Sequence, residues 1–368
     1  MTALRIAVDA MGGDHAPRVV VEGAVLAARA YGLEIILVGP EEVVRSELAR
    51  HKTGDLPIRI VHAPEVVSMT EHTIAVKQKK ENSMLVGARL VKEGRADAFT
   101  SAGNSGAVMA AALFALGRIR GVDRPALGTI WPASPTPCIL LDIGANTDPK
   151  PEYLVQFAIM GVAYAERMLG IQRPRVGIVS NGEEAEKGSF LVRDAYPLLQ
   201  ASGLNFIGNV EGKDTTRGIA DVIVTDGFTG NVIIKEAEGI ASFMGSLVKR
   251  ELTTGARNKA ALVLMIPGLI LMLPGLLLLG PTLRRLARRL DYREVGGAPL
   301  LGVDGVVVIG HGRSDARAIQ RMILKAAQSV EQGLVPAIQA GLAQWQKATG
   351  GPRTETAMRG ATVVEKMS

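Results

Sequence analysis

Short apolar runs rich in valine and isoleucine recur along the chain and alternate with longer segments of helical periodicity. The short runs are nearly continuous, which is typical of strands buried on both faces of a sheet. They lie at 5–9, 34–38, 58–62, 97–100, 138–142, 176–180, 221–225 and 306–309. The longer segments predict helices at 19–31, 83–93, 105–116, 152–169, 228–251 and 314–332. We therefore predict an α/β fold with a doubly wound, mostly parallel sheet and helices on both faces.

The hydrophobic pattern shows no clear domain boundary. We find no internal repeat, and no Pro/Ser-rich linker divides the chain. We predict a single α/β catalytic domain over 1–340, which includes an inserted apolar and amphipathic segment at 258–293. Residues 341–368 are predicted to form a mobile C-terminal tail.

Composition and charge narrow the class of function. Cys138 is the one cysteine, so an intrachain disulfide and a cysteine metal site are excluded and a reducing compartment is favoured. The amino terminus has no basic start followed by a long apolar run, so we expect a cytoplasmic protein. A net charge of +6 suits an acidic partner. Aromatic residues make up only 4% of the chain, which argues against single-stranded nucleic acid as that partner.

Glycine-rich turns follow nearly every predicted strand. They read DAMGGDHAP at 9–17, TSAGNSGA at 100–107, DIGAN at 142–146, SNGEEAEKG at 180–188, NVEG at 209–212 and DGFTGN at 226–231. Ligands of open parallel sheets bind beyond the carboxyl ends of the strands, where helix N-termini attract anions. Because glycine permits close backbone approach, we expect a phosphate site at one edge of the sheet. Ordinary tight turns with helix caps use the same residues, and that alternative stays open for any single loop.

Familiar nucleotide and hydrolase signatures are missing. The chain has no G-x-x-x-x-G-K-[ST] motif, and no G-x-G-x-x-G follows the first strand with an acid about twenty residues later. The stretch around Ser105 reads GNSGA rather than G-x-S-x-G. ATP, NAD and a serine-hydrolase mechanism therefore lack support, and we predict no cofactor.

These loops, together with GAPLLGVDG and the HG pair within 297–312, resemble PlsX-type phosphate acyltransferases over about 5–332. The resemblance implies a fold like that of phosphotransacetylases and isopropylmalate dehydrogenases. It also implies transfer of a fatty acyl group from acyl-[acyl-carrier-protein] to inorganic phosphate, giving acyl phosphate for membrane phospholipid synthesis. Implied partners are acyl carrier protein, a second copy in a homodimer, the membrane surface and a glycerol-3-phosphate acyltransferase that uses the product.

One segment, 71–84, departs from the family pattern. Thr73, Lys77 and Asn82 stand where the family tends to have proline, arginine and serine. Lysine cannot reproduce the two-pronged contact that arginine makes with phosphate. Phosphate affinity through this segment is therefore the property that the departure would alter.

Phosphate and a thioester need positioning more than strong acid or base, because phosphate is already anionic and a thiol is a good leaving group. We predict His15, Asp14, Lys187 and Asn181 as the catalytic residues, with Lys187 as charge partner and Asn181 or Asn146 as oxyanion donor. We predict contacts to phosphate or substrate from Asp9, Gly12, Gly13, Ser101, Gly103, Asn104, Asp142, Asn146, Asn209, Glu211, Asp226 and Asn231.

Other functions for some of these residues stay open. His15 could act as general acid or base, or it could cap or pack at the start of the following helix. Asp9 and Asp14 could bind a metal, but loop carboxylates more often cap backbone N–H groups, and we predict no metal. His311 could equally be a turn residue.

An uncharged stretch at 260–283 is long enough to cross a bilayer, yet Pro-Gly pairs interrupt it about every seven residues. After it, apolar and basic side chains segregate to opposite sides of a predicted helix. They are Leu283, Leu286 and Leu290 on one side and Arg284, Arg285, Arg288 and Arg289 on the other. We predict peripheral contact with an anionic membrane or with carrier protein. A dimer-interface or substrate-channel hairpin is the alternative.

Two other functions would suit the same sequence. One is a short-chain phosphotransacetylase that uses coenzyme A, for which the apolar stretch would have no purpose. The other is a membrane-surface scaffold without catalytic activity.

Overall fold

The computed structural model describes residues 3–255 and 296–349, together with scattered positions between 258 and 282. Its strands are β1 Arg5–Asp9, β2 Glu34–Gly39, β3 Ile58–His62, β4 Ala98–Ser101, β5 Ala126–Trp131, β6 Cys138–Leu141, β7 Val176–Ser180, β8 Phe206–Glu211, β9 Val222–Val224, β10 Ala298–Leu301 and β11 Val306–Ile309. Its helices are α1 Arg18–Tyr31, α2 Glu41–Leu48, α3 Ala75–Gln78, α4 Ser83–Lys92, α5 Ser105–Ala115, α6 Pro151–Met168, α7 Phe190–Gln200, α8 Gly227–Thr253, α9 Ala316–Glu331 and α10 Leu334–Thr349. The predicted α/β class is confirmed.

The described strands form one sheet of eleven in the order β3-β2-β1-β4-β11-β10-β5-β6-β9-β7-β8. The first five strands are parallel to one another, and so are the last four. Strands β10 and β5 lie between these blocks and pair antiparallel on both sides. The two parallel blocks therefore run in opposite directions. The prediction that all the glycine-rich loops share one edge of the sheet is wrong.

The hydrophobic pattern did not predict three of the described strands. Strand β8 contains Gly208 and Asn209, β5 contains Gly128, and β10 contains Pro299, and these residues have low strand propensity. Tertiary pairing overrides that propensity. As a result Asn209 and Glu211 lie within β8, and their predicted place in a loop after a strand is corrected.

The two parallel blocks carry matching ion pairs at the amino ends of their strands. Arg5 donates its backbone N–H and Nε to Asp97 Oδ2 at 2.7 and 3.2 Å, and its Nη2 to Oδ1 at 2.8 Å. Arg175 makes the same three bonds to Asp221, at 2.8, 2.9 and 2.9 Å. We call each of these an Arg–Asp bracket. Each one ties adjacent parallel strands together, β1 to β4 and β7 to β9.

The brackets belong to an internal repeat that the sequence analysis missed. Residues 96–108 read ADAFTSAGNSGAV and residues 220–232 read ADVIVTDGFTGNV. Each begins one residue before the bracket aspartate, runs through one strand and ends in a glycine-rich turn that opens a helix, α5 or α8. The two halves of the sheet thus present equivalent loops.

Core packing shows which helices share a face of the sheet. Residues of α4 and α5 pack with Leu127 of β5, while Ile233 and Ile234 of α8 pack around Trp131 of the same strand. Leu127 and Trp131 are four residues apart and so lie on one face. Helices α5 and α8 therefore cover the same face. Helices α6, α7 and α10 pack with Ala126, which faces the other way.

The carboxyl terminus is more ordered than predicted. Helix α10 continues past residue 340, and its Leu342 and Trp345 are buried in the core. The predicted domain boundary at 340 therefore cuts a packed helix. The rest of the predicted tail, 350–368, lies outside the described residues.

Helix α8 begins against the sheet and then leaves it. Gly227 and Gly230 are buried, whereas most of its later residues are exposed. None of the helices in the described part of the chain is long and apolar enough to cross a membrane. The predicted amphipathic helix, with Leu283 to Leu290 and its four arginines, lies outside the described residues.

Candidate active site

Loops from three parallel strands converge at one end of the first block, and we call them the amino-terminal rim: 10–17, 101–106 and 310–314. The backbone N–H of Asp14 donates to Gly312 O at 2.8 Å. A Cβ placed on Gly13, which has φ near +105°, would lie 3.1 Å from the same oxygen. A side chain there would be strained, so glycine is required for this close approach.

A buried carboxylate, Asp9, lies beneath this rim and is 0% exposed. Ser101 Oγ donates to Asp9 Oδ2 at 2.7 Å, and Met11 N–H donates to Oδ1 at 3.1 Å. Gly103 N–H donates to the same serine oxygen at 3.0 Å. Burial raises the pKa of Asp9, while hydrogen bonds from Ser83, Ser101 and Met11 lower it. Asp9 thus holds two loops together from inside.

Backbone packing at Gly12 is equally close. A Cβ there would lie 2.7 Å from both Asp9 Oδ2 and Gly103 N. Asn104 completes the turn, because its side chain accepts from Ala107 N–H as the N-cap of α5 and donates to Met69 O at 3.0 Å. Backbone N–H groups and a helix N-terminus are therefore held close together at a strand end, as anion sites require.

The outer surface of this rim carries the predicted acid–base residues. Asp14 and His15 are both exposed. His15 makes no side-chain cap for α1, whose N-cap is Pro17. Exposed Arg18 and Arg313 stand at the ends of two of the loops. Asp14 and Asp315 lie at the same loops, so the charges of the rim and its adjoining residues balance.

The second block presents an equivalent group of loops at its own strand ends, the carboxyl-terminal rim: 142–146, 180–189 and 225–231. Its buried carboxylate is Asp142, also 0% exposed. Oδ1 accepts from three backbone N–H groups, and Oδ2 accepts from the backbone and side chain of one asparagine. The donors are Leu127, Gly144, Ala145 and Asn146, at 2.7 to 3.1 Å. Burial raises the pKa of Asp142 and these donors oppose the rise.

Helix α8 starts directly against this loop. Gly227 N–H donates to Asn146 O at 2.6 Å, and a Cβ on Gly230 would lie 1.9 Å from Asp142 O. Asp226 caps the helix by accepting from Thr229 N–H at 2.8 Å. Asn231, one residue past Gly230, is exposed. The DGFTGN turn therefore packs backbone to backbone on the DIGAN loop.

The SNGEEAEKG loop forms the far side of this rim. Asn209 Nδ2 reaches from β8 and donates to Glu184 O at 2.6 Å. Asn209 Oδ1 and Ser180 Oγ are buried and have no hydrogen-bond partner among the described residues. Asn181 and Lys187 are exposed on the loop. Asn209 therefore anchors the loop that carries Lys187.

The predicted site residues thus fall into two groups. Asp9, Gly12, Gly13, Asp14, Ser101, Gly103 and Asn104 come together, and so do Asp142, Asn146, Asp226 and Asn231. Measured along the sheet, β1 and β7 are seven strands apart, about 34 Å. Ile143 and Ala145 nevertheless pack against the core that includes α5. The carboxyl-terminal rim therefore reaches toward the amino-terminal half.

Comparison with known proteins decides between the functions that such rims could serve. The family model described as "Fatty acid synthesis protein" matches residues 4–336. A phosphate acyltransferase of Pelotomaculum thermopropionicum is 47% identical over 350 residues, covering 95% of this chain and 98% of that protein. One from Anaeromyxobacter is 51% identical over 335 residues, covering 90% and 89%. The chain belongs to the phosphate acyltransferase family.

Solved structures place the fold of this acyltransferase beside that of phosphotransacetylases. The EutD phosphotransacetylase of Staphylococcus aureus aligns over 89% of this chain and 94% of its own, with a TM-score of 0.55 and 16% identity. A phosphotransacetylase of Streptococcus pyogenes aligns over the same shares, with a TM-score of 0.56 and 17% identity. These likenesses concern the fold. The family membership shows an enzyme that transfers an acyl group to phosphate.

The segment 71–84, for which we predicted a departure from the family pattern, lies over the amino-terminal rim of this acyltransferase. Lys77 Nζ stacks on the Phe114 ring, 4.7 Å from its centroid. Asn82 is buried and caps α4, accepting from Leu85 N–H at 2.9 Å. Thr73 Oγ1 would lie 2.9 Å from a Cβ on Gly106. These residues have packing and capping partners, and the ammonium group of Lys77 lies on an aromatic ring.

Proposed function

We propose that this phosphate acyltransferase takes its fatty acyl group from acyl-[acyl-carrier-protein] and supplies acyl phosphate for membrane phospholipid synthesis. The observation that carries the proposal is the amino-terminal rim, where Asp9 joins two glycine-rich turns beside the N-terminus of α5. Membership of the phosphate acyltransferase family indicates acyl transfer to phosphate. Such a reaction needs one rim to bind phosphate and another place to bind the thioester.

Inorganic phosphate would bind at Gly12, Gly13, Ser101, Gly103 and Asn104. A phosphate oxygen attacks the thioester carbonyl, a carbon–oxygen bond forms, the carbon–sulfur bond breaks, and the thiolate leaves with its electron pair. Hydrogen-bond donors lower the barrier by stabilising negative charge as it develops on the carbonyl oxygen.

Asn181 would donate to that oxygen, because the two N–H groups of the Asn146 amide already donate to Pro125 O and Asp142 Oδ2, each at 2.8 Å. Lys187 would offset the negative charge of phosphate. This assignment requires the two rims to act on one substrate, and the packing of Ile143 and Ala145 toward α5 supports it. His15, which is exposed on the first loop of the rim, would exchange a proton with phosphate or with the leaving thiolate. Asp9, Asp142 and Asn209 would act by holding loops.

Partners follow from charge and exposure. The net charge of +6 suits an acidic carrier protein. Large apolar side chains are exposed along α8, four of them at intervals of four residues from 240 to 252, which suits a second copy of the chain. They include Val232, Ile240, Phe243, Met244, Val248 and Leu252. The segment 258–293 would contact the cytoplasmic face of the membrane, near the glycerol-3-phosphate acyltransferase that uses the product.

The reaction can be tested with purified protein, long-chain acyl-[acyl-carrier-protein] and labelled phosphate. The expected product is an acyl phosphate that reacts with hydroxylamine. Acetyl coenzyme A serves as the comparison substrate. Turnover of acetyl coenzyme A without turnover of the carrier-protein thioester would overturn the proposed substrate and leave a short-chain phosphotransacetylase.

A second experiment separates catalysis from a scaffold function. Replacing Gly12 and Gly13 by valine should abolish turnover while binding to phosphatidylglycerol vesicles persists. Normal growth of cells that carry only this variant would contradict a catalytic role. Replacing Arg284, Arg285, Arg288 and Arg289 by glutamate should release the protein from the same vesicles, and undiminished binding would refute the membrane-contact assignment.

A further inference from the structure

A polar cavity of about 460 Å³ opens between α1 and the turn that follows α2. Its lining comes from the last turns of α1 and from that turn, and consists of Glu22, Val25, Leu26, Arg29, Arg50, His51 and Lys52. Arg29 lies eleven residues along α1 from Arg18, about 16 Å at the helical rise. The cavity is therefore distinct from the amino-terminal rim, which lies at the opposite end of the same helix.

Cationic groups outnumber anionic ones around this cavity. Arg29 Nη2 donates to Lys52 O at 2.7 Å, which uses one of the five N–H groups of its guanidinium and fixes its position. Arg50 pairs with Glu47 at 3.3 Å, and Glu22 is the lining carboxylate. Lys52 is exposed and has no ion pair within the described chain. The charges of Arg29 and Lys52 thus exceed what Glu22 neutralises.

His51 adds an unpartnered polar group to the same lining. Its Nε2 is buried and has no hydrogen-bond partner among the residues that the structure describes. Its backbone N–H is already used by Leu48 O at 3.0 Å. Buried polar atoms are nearly always hydrogen-bonded, so this nitrogen has one hydrogen bond left for a water molecule or an anion.

We propose that this cavity binds a small phosphate-bearing anion. Its volume lies in the range of small-molecule sites. Arg29 offers a fixed guanidinium, Lys52 a free ammonium group and His51 a buried donor, and this combination recognises phosphate oxygens. The inference goes beyond the proposed transfer reaction and does not depend on it.

Pyrophosphate is the probe for the test. Calorimetric titration of the full-length protein should show a site that is weakened at least tenfold in the double variant Arg29→Met/Lys52→Met. Lys347→Met removes an exposed lysine of α10 and should leave that site unchanged. Any pyrophosphate bound at the glycine-rich rims would persist in both variants, so the two kinds of site are separable.

The proton spectrum of the histidine rings provides a second readout. The signal of His51, assigned by its loss in His51→Gln, should shift on titration with pyrophosphate in the wild type. If the double variant does not fold, this shift and the weaker binding of His51→Gln decide the matter. A His51 signal that neither pyrophosphate nor phosphatidylglycerol vesicles move would overturn the proposal, and so would pyrophosphate that binds wild type and His51→Gln with equal affinity.

Phosphate of this kind could come from a free metabolite or from a lipid headgroup. Phosphatidylglycerol vesicles form the second arm of the same titration. A His51 shift with pyrophosphate indicates a soluble ligand, and a shift with vesicles alone indicates a headgroup. A failure of both probes to move the signal would remove the site, whatever the outcome for acyl transfer.

Discussion

The two glycine-rich rims hold backbone N–H groups at strand ends in the same way but with unequal amounts of hydrogen bonding. In the carboxyl-terminal rim, Asp142 collects five bonds from four residues, and the start of α8 packs on its carbonyl oxygen. In the amino-terminal rim, Asp9 is held by one backbone N–H and by hydroxyl groups. The carboxyl-terminal rim is the more rigid of the two, because nearly every hydrogen bond to Asp142 comes from the backbone. The amino-terminal rim depends on hydroxyl side chains that can rotate.

Glycine substitutions should give the largest difference between the rims. Gly230→Ala places a Cβ 1.9 Å from Asp142 O, a backbone atom that cannot move away, so we expect a loss of about 3 kcal/mol or more. Gly103→Ala meets the flexible end of Met84 at 2.3 Å and should cost about 1 kcal/mol. Urea unfolding measures both.

Gly212→Ala is the matched control for this pair, because nothing lies within 4 Å of its Cβ position. It should change stability by less than about 0.5 kcal/mol. Similar losses for Gly230→Ala and Gly103→Ala would show that the two rims are equally tolerant and would end the comparison.

Isosteric amide substitutions should give the next largest difference. Asp142→Asn turns an NH₂ group toward backbone donors, which should cost about 2 to 3 kcal/mol. Asp9→Asn should cost about 1 kcal/mol, since the Ser101 hydroxyl can rotate to accept instead of donate. Thermal unfolding of the two variants tests the ranking. A larger loss for Asp9→Asn would reverse our view of which rim is rigid.

A buried lysine outside both rims should make the stability of the protein depend on pH. Lys325 of α9 is 7% exposed and donates to Gly297 O at 2.9 Å, and burial lowers its pKa to about 7. The unfolded chain, with a lysine pKa of about 10.4, therefore binds more protons between pH 7 and 10. Stability should rise with pH over that range, by up to about 1.4 kcal/mol per pH unit, and fall as pH drops toward 7.

Lys325→Met should flatten this dependence and stabilise the protein near pH 7, as measured by urea unfolding between pH 6.5 and 9.5. Lys347→Met, on the surface of α10, should keep the wild-type slope. An unchanged slope in Lys325→Met would assign the pH dependence to other groups.

Cys138 should give the smallest effect of all. The thiol is 1% exposed, and burial raises its pKa to about 12. Native protein at pH 8 should resist iodoacetamide, while urea-unfolded protein reacts at once. Rapid labelling of the native state would mean that β6, which leads to Asp142, opens far more readily than its hydrogen bonds imply.

Much of the fold could be predicted from the hydrophobic pattern. The apolar runs at 5–9, 58–62, 176–180 and 306–309 match β1, β3, β7 and β11 residue for residue. Buried parallel strands such as β1 and β11 need continuous apolar sequence, whereas β3 is a partly buried edge strand. Strands β5, β8 and β10 contain glycine, asparagine or proline, and their pairing partners stabilise them. The opposite directions of the two parallel blocks could not be predicted from the hydrophobic pattern, since they depend on the antiparallel pairing of β10 with β5.

The sequence predicted many residues of the candidate active site but not how they are arranged in space. Glycine and asparagine at strand ends indicated the loops, yet nothing local shows that Asp9 and Asp142 point inward and hold loops together. The repeat at 96–108 and 220–232 was visible in principle. It was missed because Arg5 and Arg175 are 170 positions apart, whereas Asp97 and Asp221 are 124 apart.

The paired Arg–Asp brackets give the molecule an internal reference. Each bracket fixes the amino ends of two strands whose carboxyl ends carry a rim, so both rims have the same foundation. Any difference in behaviour between them then arises in the loops and not in the sheet beneath. Measurements on the loops of one half of this chain can therefore serve as the reference for the same measurements on the other half.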